Sequence, residues 1–265
     1  VLAALFRWRL HSLEMPPWRW IALFALPLLS HLLLDSLTCY GTGLFEPFSN
    51  YRVAFDTIFV VDPFYTMPWM ICIFMVMRLY KNEALRRKWN KIGLWFGGAY
   101  LALTCLNHVY VQGVMLRSIQ AQRLSYDGFQ VTPAPMNNLL WMGYSRDAQG
   151  AWVGFYSLLD ADQEVQFSRI ERNDSLLEDY RMDPAIEQLV WLSKGNYCVQ
   201  KQGEDVYFND LRFGFLSRWE GIDTAFALRY NLAPGADNSR PLNRTRFTEP
   251  KTAVLGRLVR RVLGN

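Results

Sequence analysis

Long uncharged runs dominate the first 120 residues of the chain and predict membrane-spanning helices. Ile92 to Leu116 contains no Asp, Glu, Lys or Arg, and it exceeds the about 20 residues that a helix needs to cross the hydrocarbon layer. Pro63 to Met77 is a second uncharged run, which reaches spanning length if its helix continues to Tyr80. Trp20 to Leu34 is a third and shorter run, for which the core helix of a soluble protein is the alternative.

The connection after the second run is strongly basic and predicts the topology. Its basic residues are Arg78, Lys81, Arg86, Arg87, Lys88 and Lys91. Because short basic loops stay in the cytoplasm, this connection is expected inside. The run from Ile92 to Leu116 then emerges on the outer side, so that the loop before Pro63 and everything after about residue 116 are predicted to be extracytoplasmic.

The pattern changes after Tyr126 to short segments of alternating or β-rich sequence. Gly, Asp and Asn separate segments such as NNLLWMGYS, AWVGFYSLL, DVYFNDLRFG and AFALRYNL, which is typical of strands. One helix is predicted over Pro184–Leu192, with Asp183 as its N-cap and Gly195 after its end. The fold class is therefore an α-helical integral membrane domain (residues 1–117) followed by a soluble α+β domain (residues 118–235).

Residues 236–265 are predicted to be a basic tail. Its end, PKTAVLGRLVRRVLGN, alternates apolar and basic residues as a short amphipathic helix does. Such a helix can lie on anionic lipid headgroups, and a frayed basic terminus is the alternative. The net charge of +4 is spread over loop and tail without a basic face interleaved with aromatic residues, so nucleic acid is excluded as a partner.

A polar stretch with candidate chemistry lies between the first two apolar runs. His31 and Asp35 are spaced i, i+4, which places an imidazole and a carboxylate on one helix face. Asp35 lies near the predicted end of that helix, where the macrodipole disfavours an anion. It therefore needs a partner, which His31 or a metal ion would supply. Chemically, the pair is a candidate metal site.

Among the other polar residues of this stretch, Asp62 and Arg52 each allow two interpretations. Asp62 directly precedes Pro63, so it is either a metal ligand or the N-cap of the next helix. Arg52 either binds a phosphate or forms an ion pair with Asp56, because its planar guanidinium group suits both kinds of anion. The side chains that could orient a substrate are Thr38, Tyr40, Ser49 and Tyr65.

The stretch HLLLDSLTCYGTGLFEPFSNYRVAFDTIFVVDPFY, from His31 to Tyr65, resembles the signature block of the membrane-bound metal-dependent hydrolases, the YdjM-like inner-membrane hydrolases. Later stretches such as PAPMNNLLWMGY and NDLRFGF are similar to longer members, so the resemblance covers most of residues 25 to 230. It implies a multi-pass protein of the bacterial inner membrane. His31 and Asp35 match the family's HxxxD positions, Asp62 matches its DP position, and Asp56 matches the Asp that precedes the DP position.

The resemblance implies a divalent metal held by His31, Asp35 and Asp62, with zinc favoured over manganese or magnesium. Metal-activated water would attack a lipid-linked phosphoester or ester at the outer face of the membrane, with Asp35, Asp56 and Arg52 as catalytic residues. Family members carry an upstream histidine block that has no counterpart here. We therefore expect residues before Val1, and further ligands among them.

A non-enzymatic function is the alternative. The membrane helices would then anchor the α+β domain so that it binds an envelope partner or lipid, and the polar cluster from His31 to Asp62 would hold helices and loop together. The two hypotheses differ in their expected phenotype. Mutation of a structural cluster disturbs folding, whereas mutation of a metal site removes the metal from a folded protein.

Overall fold

The structure is a computed structural model that describes residues 16–79, 81–125, 127–180, 183–215, 226–232, 243–244 and 251–264. The chain forms two compact units, residues 1–56 and residues 57–265. The first unit contains one described helix and a loop. The described part of the second contains a pair of helices, two antiparallel sheets with two short helices between them, and the C-terminal helix.

The first helix, α1, spans Pro17–Ser36 and is long and apolar enough to cross a membrane. Most of its residues are exposed, including Trp18 and Leu33 at 63% each, as expected for a helix whose surroundings are apolar. The chain then folds back on itself. The amide of Phe55 donates to the carbonyl of Ser36, and Thr42 and Val53 form an antiparallel bridge, which closes the loop after α1.

The second unit begins with a pair of helices, α2 (Pro63–Arg78) and α3 (Glu83–Ala121). Glycines of α3 permit their close contact: a Cβ at Gly97 would lie 2.4 Å from the indole nitrogen of Trp69, and one at Gly93 would lie 3.2 Å from the Cβ of Cys72. Small residues at a helix contact are typical of membrane helices. With 16 residues, α2 is about 24 Å long, which is less than the hydrocarbon thickness.

The described residues therefore contain two helices, α1 and α3, that meet the length and hydropathy needed to span a membrane. The remaining predicted span, the second run from Pro63 to Met77, is present as α2, which has only 16 residues. A three-span topology stays a prediction.

Helix α3 changes its surroundings along its length. Trp95, Leu106 and Val109 are 67–80% exposed, whereas Val111, Val114 and several residues beyond them are fully buried. This buried part packs against Val131, Trp141, Tyr156 and Val165 of the following domain. The predicted span extended to Leu116, but its last part belongs to the protein core. The prediction placed its end too late because an apolar run does not distinguish a lipid-facing surface from a protein interior.

Two four-stranded antiparallel sheets form the domain, each with its strands in chain order. The strands of the first sheet are β1 (Gly128–Pro133), β2 (Leu140–Arg146), β3 (Gly150–Ser157) and β4 (Phe167–Glu171). Those of the second are β5 (Tyr197–Gln202), β6 (Asp205–Phe215), β7 (Phe226–Asn231) and β8 (Asn243–Arg244). The sheets share a core that includes Met142, Val153, Cys198, Leu211 and Phe226.

Two short helices connect the sheets, a 3-10 helix over Asp174–Tyr180 and α4 over Pro184–Leu192. The prediction for α4 is confirmed, and Asp183 caps it by accepting a hydrogen bond from the amide of Ala185. The predicted α+β character of the region is thus confirmed. Its predicted location outside the cytoplasm stays a prediction.

An acidic residue organises the turn between β2 and β3. Asp147 accepts hydrogen bonds from the amides of Gln149 and Gly150, at 2.9 Å each, and forms an ion pair with Arg169 on β4. The hydrogen bonds from Arg169 hold the pKa of Asp147 below its ordinary value. The carboxylate therefore stays charged and connects the turn to the edge strand.

The C-terminal helix, α5, spans Lys251–Val262 within the predicted basic tail. It packs on the first sheet: Leu258 is buried with Ala134 and Leu140, and the guanidinium of Arg261 forms two hydrogen bonds, of 2.6 and 2.9 Å, with the carboxylate of Asp160. This part of the tail is therefore part of the domain and is not frayed.

Candidate functional site

His31 and Asp35 lie near the C-terminal end of α1, and their side chains meet on one helix face, as the i, i+4 spacing predicts. The imidazole Nε2 is 3.3 Å from a carboxylate oxygen of Asp35, and the two side chains are 72% and 52% exposed. When His31 is protonated, the contact is an ion pair. The pair is accessible to a ligand, and it offers two donor groups on one face.

The loop after α1 contains Arg52 and Asp56. Arg52 donates to the carbonyl of Gly41 at 2.7 Å and lies 3.9 Å from the carboxylate of Glu46, so it crosses the loop and stabilises it. Asp56 is 6% exposed and has a φ of 54°, which is an uncommon backbone conformation for a residue with a side chain. A catalytic role for either residue stays a prediction.

The predicted substrate-binding residues have local contacts in the structure. The Thr38 hydroxyl donates to the carbonyl of Asp35 at 2.8 Å, and the Ser49 hydroxyl accepts from the amide of Tyr51 at 3.2 Å. Tyr40 is 50% exposed. Tyr65 lies in the first turn of α2, with its ring centre 5.9 Å from that of Tyr100 on α3. These contacts shape the loop and the helix pair, and substrate contacts stay predicted.

Asp62 is the N-cap of α2. One carboxylate oxygen accepts from the amides of Phe64 and Tyr65, at 2.9 and 3.4 Å, and the other accepts from the Tyr100 hydroxyl at 2.7 Å. The residue is 2% exposed, and both of its oxygens are engaged. Sequence reasoning included the cap as one interpretation but missed Tyr100, because nothing in an apolar helical run marks one tyrosine as a partner.

The fit of a metal ion can be tested on these donors. Within the described parts of the chain, no group of three or more His, Cys, Asp or Glu side chains is arranged to hold a metal. Structural zinc has four protein ligands and catalytic zinc has three. Because His31 and Asp35 provide two, the described residues do not fit a complete metal centre.

A polar network that the sequence did not reveal joins the helix pair to the domain. Asn138 lies in the loop between β1 and β2. Its side chain donates to the carbonyl of Thr57 at 2.9 Å and accepts from the Asn107 side chain of α3 at 2.8 Å. The Trp141 indole donates to the Asn138 carbonyl at 3.2 Å. We call these four residues the boundary network.

The comparison with protein families concerns the helical region of the chain. Residues 1–114 match the model of a family described as YdjM inner membrane protein. The match ends at Val114, where α3 is already buried in the domain core, so the domain itself lies outside it. No match was found among curated proteins or among solved structures.

The helical region is thus similar to a family of inner-membrane proteins, and the two candidate spans agree with such a protein. The resemblance seen between His31 and Tyr65 is supported by the match. The later stretches, beyond residue 114, are not covered by it. Hydrolase activity and the metal are not part of what the match shows.

Proposed function

We propose that the protein is a membrane-anchored module that presents its α+β domain at the outer face of the inner membrane, where the domain binds an envelope partner or the lipid surface. The observation that carries the proposal is the continuity of α3. Its 39 residues extend over about 58 Å, enough for the hydrocarbon layer and for a further segment inside the domain.

The contacts of α3 favour a rigid connection between the membrane anchor and the domain over a flexible one. Val111, Val114, Met115 and Ile119 are fully buried, and a Cβ at Gly143 would lie 2.3 Å from the Met115 sulfur. The helix and the first sheet are therefore in direct contact. A domain joined in this way has a fixed height and orientation relative to its anchor, which favours recognition of a partner at one distance from the membrane.

The boundary network adds a second connection. Through Asn138, the β1–β2 loop is bound both to α3, at Asn107, and to Thr57 in the segment before α2. Buried amide groups are costly to leave unpaired, so these contacts favour one orientation of the domain. Together, helix and loop hold the domain at two places.

The topology is tested with single added cysteines and a membrane-impermeant maleimide. In spheroplasts, we expect Trp191→Cys on α4 to be labelled, because Trp191 is 51% exposed and the domain is outside. We expect Lys81→Cys, in the basic connection, to be labelled only after lysis. The unmodified protein is the blank for its four native cysteines. Labelling of Lys81→Cys in intact spheroplasts, with Trp191→Cys protected, would overturn the proposal.

A second candidate function, favoured by the exposed His31–Asp35 pair, is that of a metal-dependent hydrolase of lipid-linked phosphoesters or esters. The pair is the one predicted part of the metal site whose donors are both accessible. Zinc is the favoured ion, with manganese or magnesium as alternatives. Further ligands are needed, and the described residues do not supply them.

The hydrolase hypothesis predicts that the double variant His31→Ala/Asp35→Ala loses bound metal and turnover while remaining folded. The metal content of the purified protein is measured by plasma mass spectrometry, and turnover with a series of lipid phosphoesters. Ser30→Ala is the matched control, because Ser30 is exposed on the same helix and its hydroxyl donates to the Leu26 carbonyl of that helix. A metal-free wild type, or a fully active double variant, contradicts the hypothesis.

A further inference from the structure

The exposed apolar side chains of the domain are concentrated in one region. Beyond α3, the large apolar residues that the structure describes as exposed are Met136, Leu159, Trp191, Leu255, Val259 and Leu263. All except Trp191 lie on α5, directly after it, or in the loops that follow β1 and β3. We call these five residues the apolar patch. Exposed apolar residues that cluster in this way indicate an interaction surface.

The patch rests on a well-fixed helix. Leu258 packs on Ala134 and Leu140, the Ser157 hydroxyl donates to the Val262 carbonyl at 2.6 Å, and Arg261 donates to the Phe155 carbonyl at 3.1 Å. The docked side of α5 is therefore occupied by the domain. Leu255, Val259 and Leu263, spaced four residues apart, are 49–66% exposed and form a row on another side.

The patch belongs to the end of the domain that faces the anchor. Met136 and Ala134 lie in the same loop as Asn138, whose side chain binds Asn107 of α3. Asn107 stands one turn before Val111, where α3 becomes buried. The loop therefore lies at the level where α3 passes from its exposed apolar part into the domain.

The charge of α5 indicates the nature of the surface it meets. The helix carries Lys251, Arg257, Arg260 and Arg261 and no acidic residue. Arg261 forms an ion pair with Asp160, and Arg260, which follows Val259 in the sequence, is exposed. An apolar row bordered by cations is the pattern of helices that lie in the interface of anionic membranes.

We propose that α5 and the two loops beneath it lie in the outer interface of the membrane, with the apolar patch in the acyl boundary and the basic side chains at anionic phospholipid headgroups. This inference rests on the proposed anchoring function. It gives the domain a third point of attachment, and it leaves the surfaces away from α5 for a partner.

The inference is tested with a nitroxide at Val259→Cys in the full chain, reconstituted into phosphatidylcholine vesicles with and without phosphatidylglycerol. Relaxation by oxygen reports lipid, and relaxation by a nickel chelate reports water. We expect a several-fold higher oxygen-to-nickel ratio at Val259→Cys than at the matched control Trp191→Cys, and a further increase with phosphatidylglycerol. The Arg260→Glu change is expected to lower the ratio at position 259, whereas Lys201→Glu on β5 is expected to leave it unchanged.

The possible outcomes separate the inference from the function on which it rests. Release of the protein from the vesicles by alkaline carbonate overturns the anchoring itself. Retention of the protein, with a nickel-accessible label at position 259, overturns the placement of α5 only. Shielding from both reagents indicates a second copy or another protein on the patch, and it also overturns the lipid assignment. Equal ratios in both vesicle types overturn the requirement for anionic headgroups.

Discussion

Replacing Arg261 with methionine is expected to destabilise the docking of α5 by about 3 kcal/mol, the lower end of the range for a buried ion pair, because it leaves a largely covered carboxylate without its cation. The side chains of Arg261 and Asp160 are 8% and 12% exposed. Hydrogen exchange of peptides from residues 251–264 measures the effect, since undocking removes the protection of the helix amides. We expect their exchange to rise toward that of an open helix while the strands remain protected.

Two further variants identify the cause. Lys201→Met removes an exposed cation from β5 and is expected to leave the exchange of α5 close to that of the wild type. The double variant Asp160→Asn/Arg261→Met removes both charges and is expected to recover a large part of the loss. Equal exchange for Arg261→Met and the wild type would show that the ion pair does not hold the helix.

Replacing Asp62 with alanine is expected to lower the stability of the helix pair by about 2–4 kcal/mol, the sum of a lost N-cap and a lost hydrogen bond to a charged group. The cap serves α2, and the hydrogen bond from Tyr100 connects α2 to α3. The temperature of unfolding in detergent measures the loss. Tyr100→Phe removes the second contact alone and is expected to have a smaller effect.

Asp62→Asn separates the cap from the predicted role as a metal ligand. Asparagine is a good N-cap: its side-chain oxygen accepts from the amides of the first turn, and its NH2 group donates to the Tyr100 hydroxyl, which can act as an acceptor, so we expect near-normal stability. A metal ligand would not tolerate this exchange, because the carboxylate charge would be lost. Loss of bound metal from a stable Asp62→Asn protein would therefore support the ligand role, whereas an unfolding temperature as low as that of Asp62→Ala would contradict the cap.

These variants also bear on the choice between the two functions. The carboxylate oxygens of Asp62 accept hydrogen bonds from α2 and α3, whereas the side chains of His31 and Asp35 are exposed. A hydrolase needs the exposed pair to bind metal, whereas an anchored module needs only that α3 and the domain remain joined. The pair and the cap can therefore be mutated separately, and their phenotypes assign each to a function.

Local features of this protein followed from the sequence alone. The helix over Pro184–Leu192 was predicted with its bounds and its Asp183 cap, and the contact between His31 and Asp35 followed from their spacing. Asp62 as a helix cap was one of two interpretations. Each of these features depends on residues within about four positions of one another, and over that distance the geometry of a helix or a turn determines which side chains are in contact.

The tertiary structure alone decided the contacts between distant residues. Asp62 and Tyr100 are 38 positions apart, Asn107 and Asn138 are 31 apart, and Asp160 and Arg261 are 101 apart. Hydropathy predicted α3 as a span but not the point at which lipid-facing surface becomes protein core. The physical reason is the same in each case. Burial stabilises an apolar side chain, and a hydrogen bond or an opposite charge stabilises a polar one. The residue that provides this contact depends on how distant parts of the chain pack, which no local sequence pattern encodes.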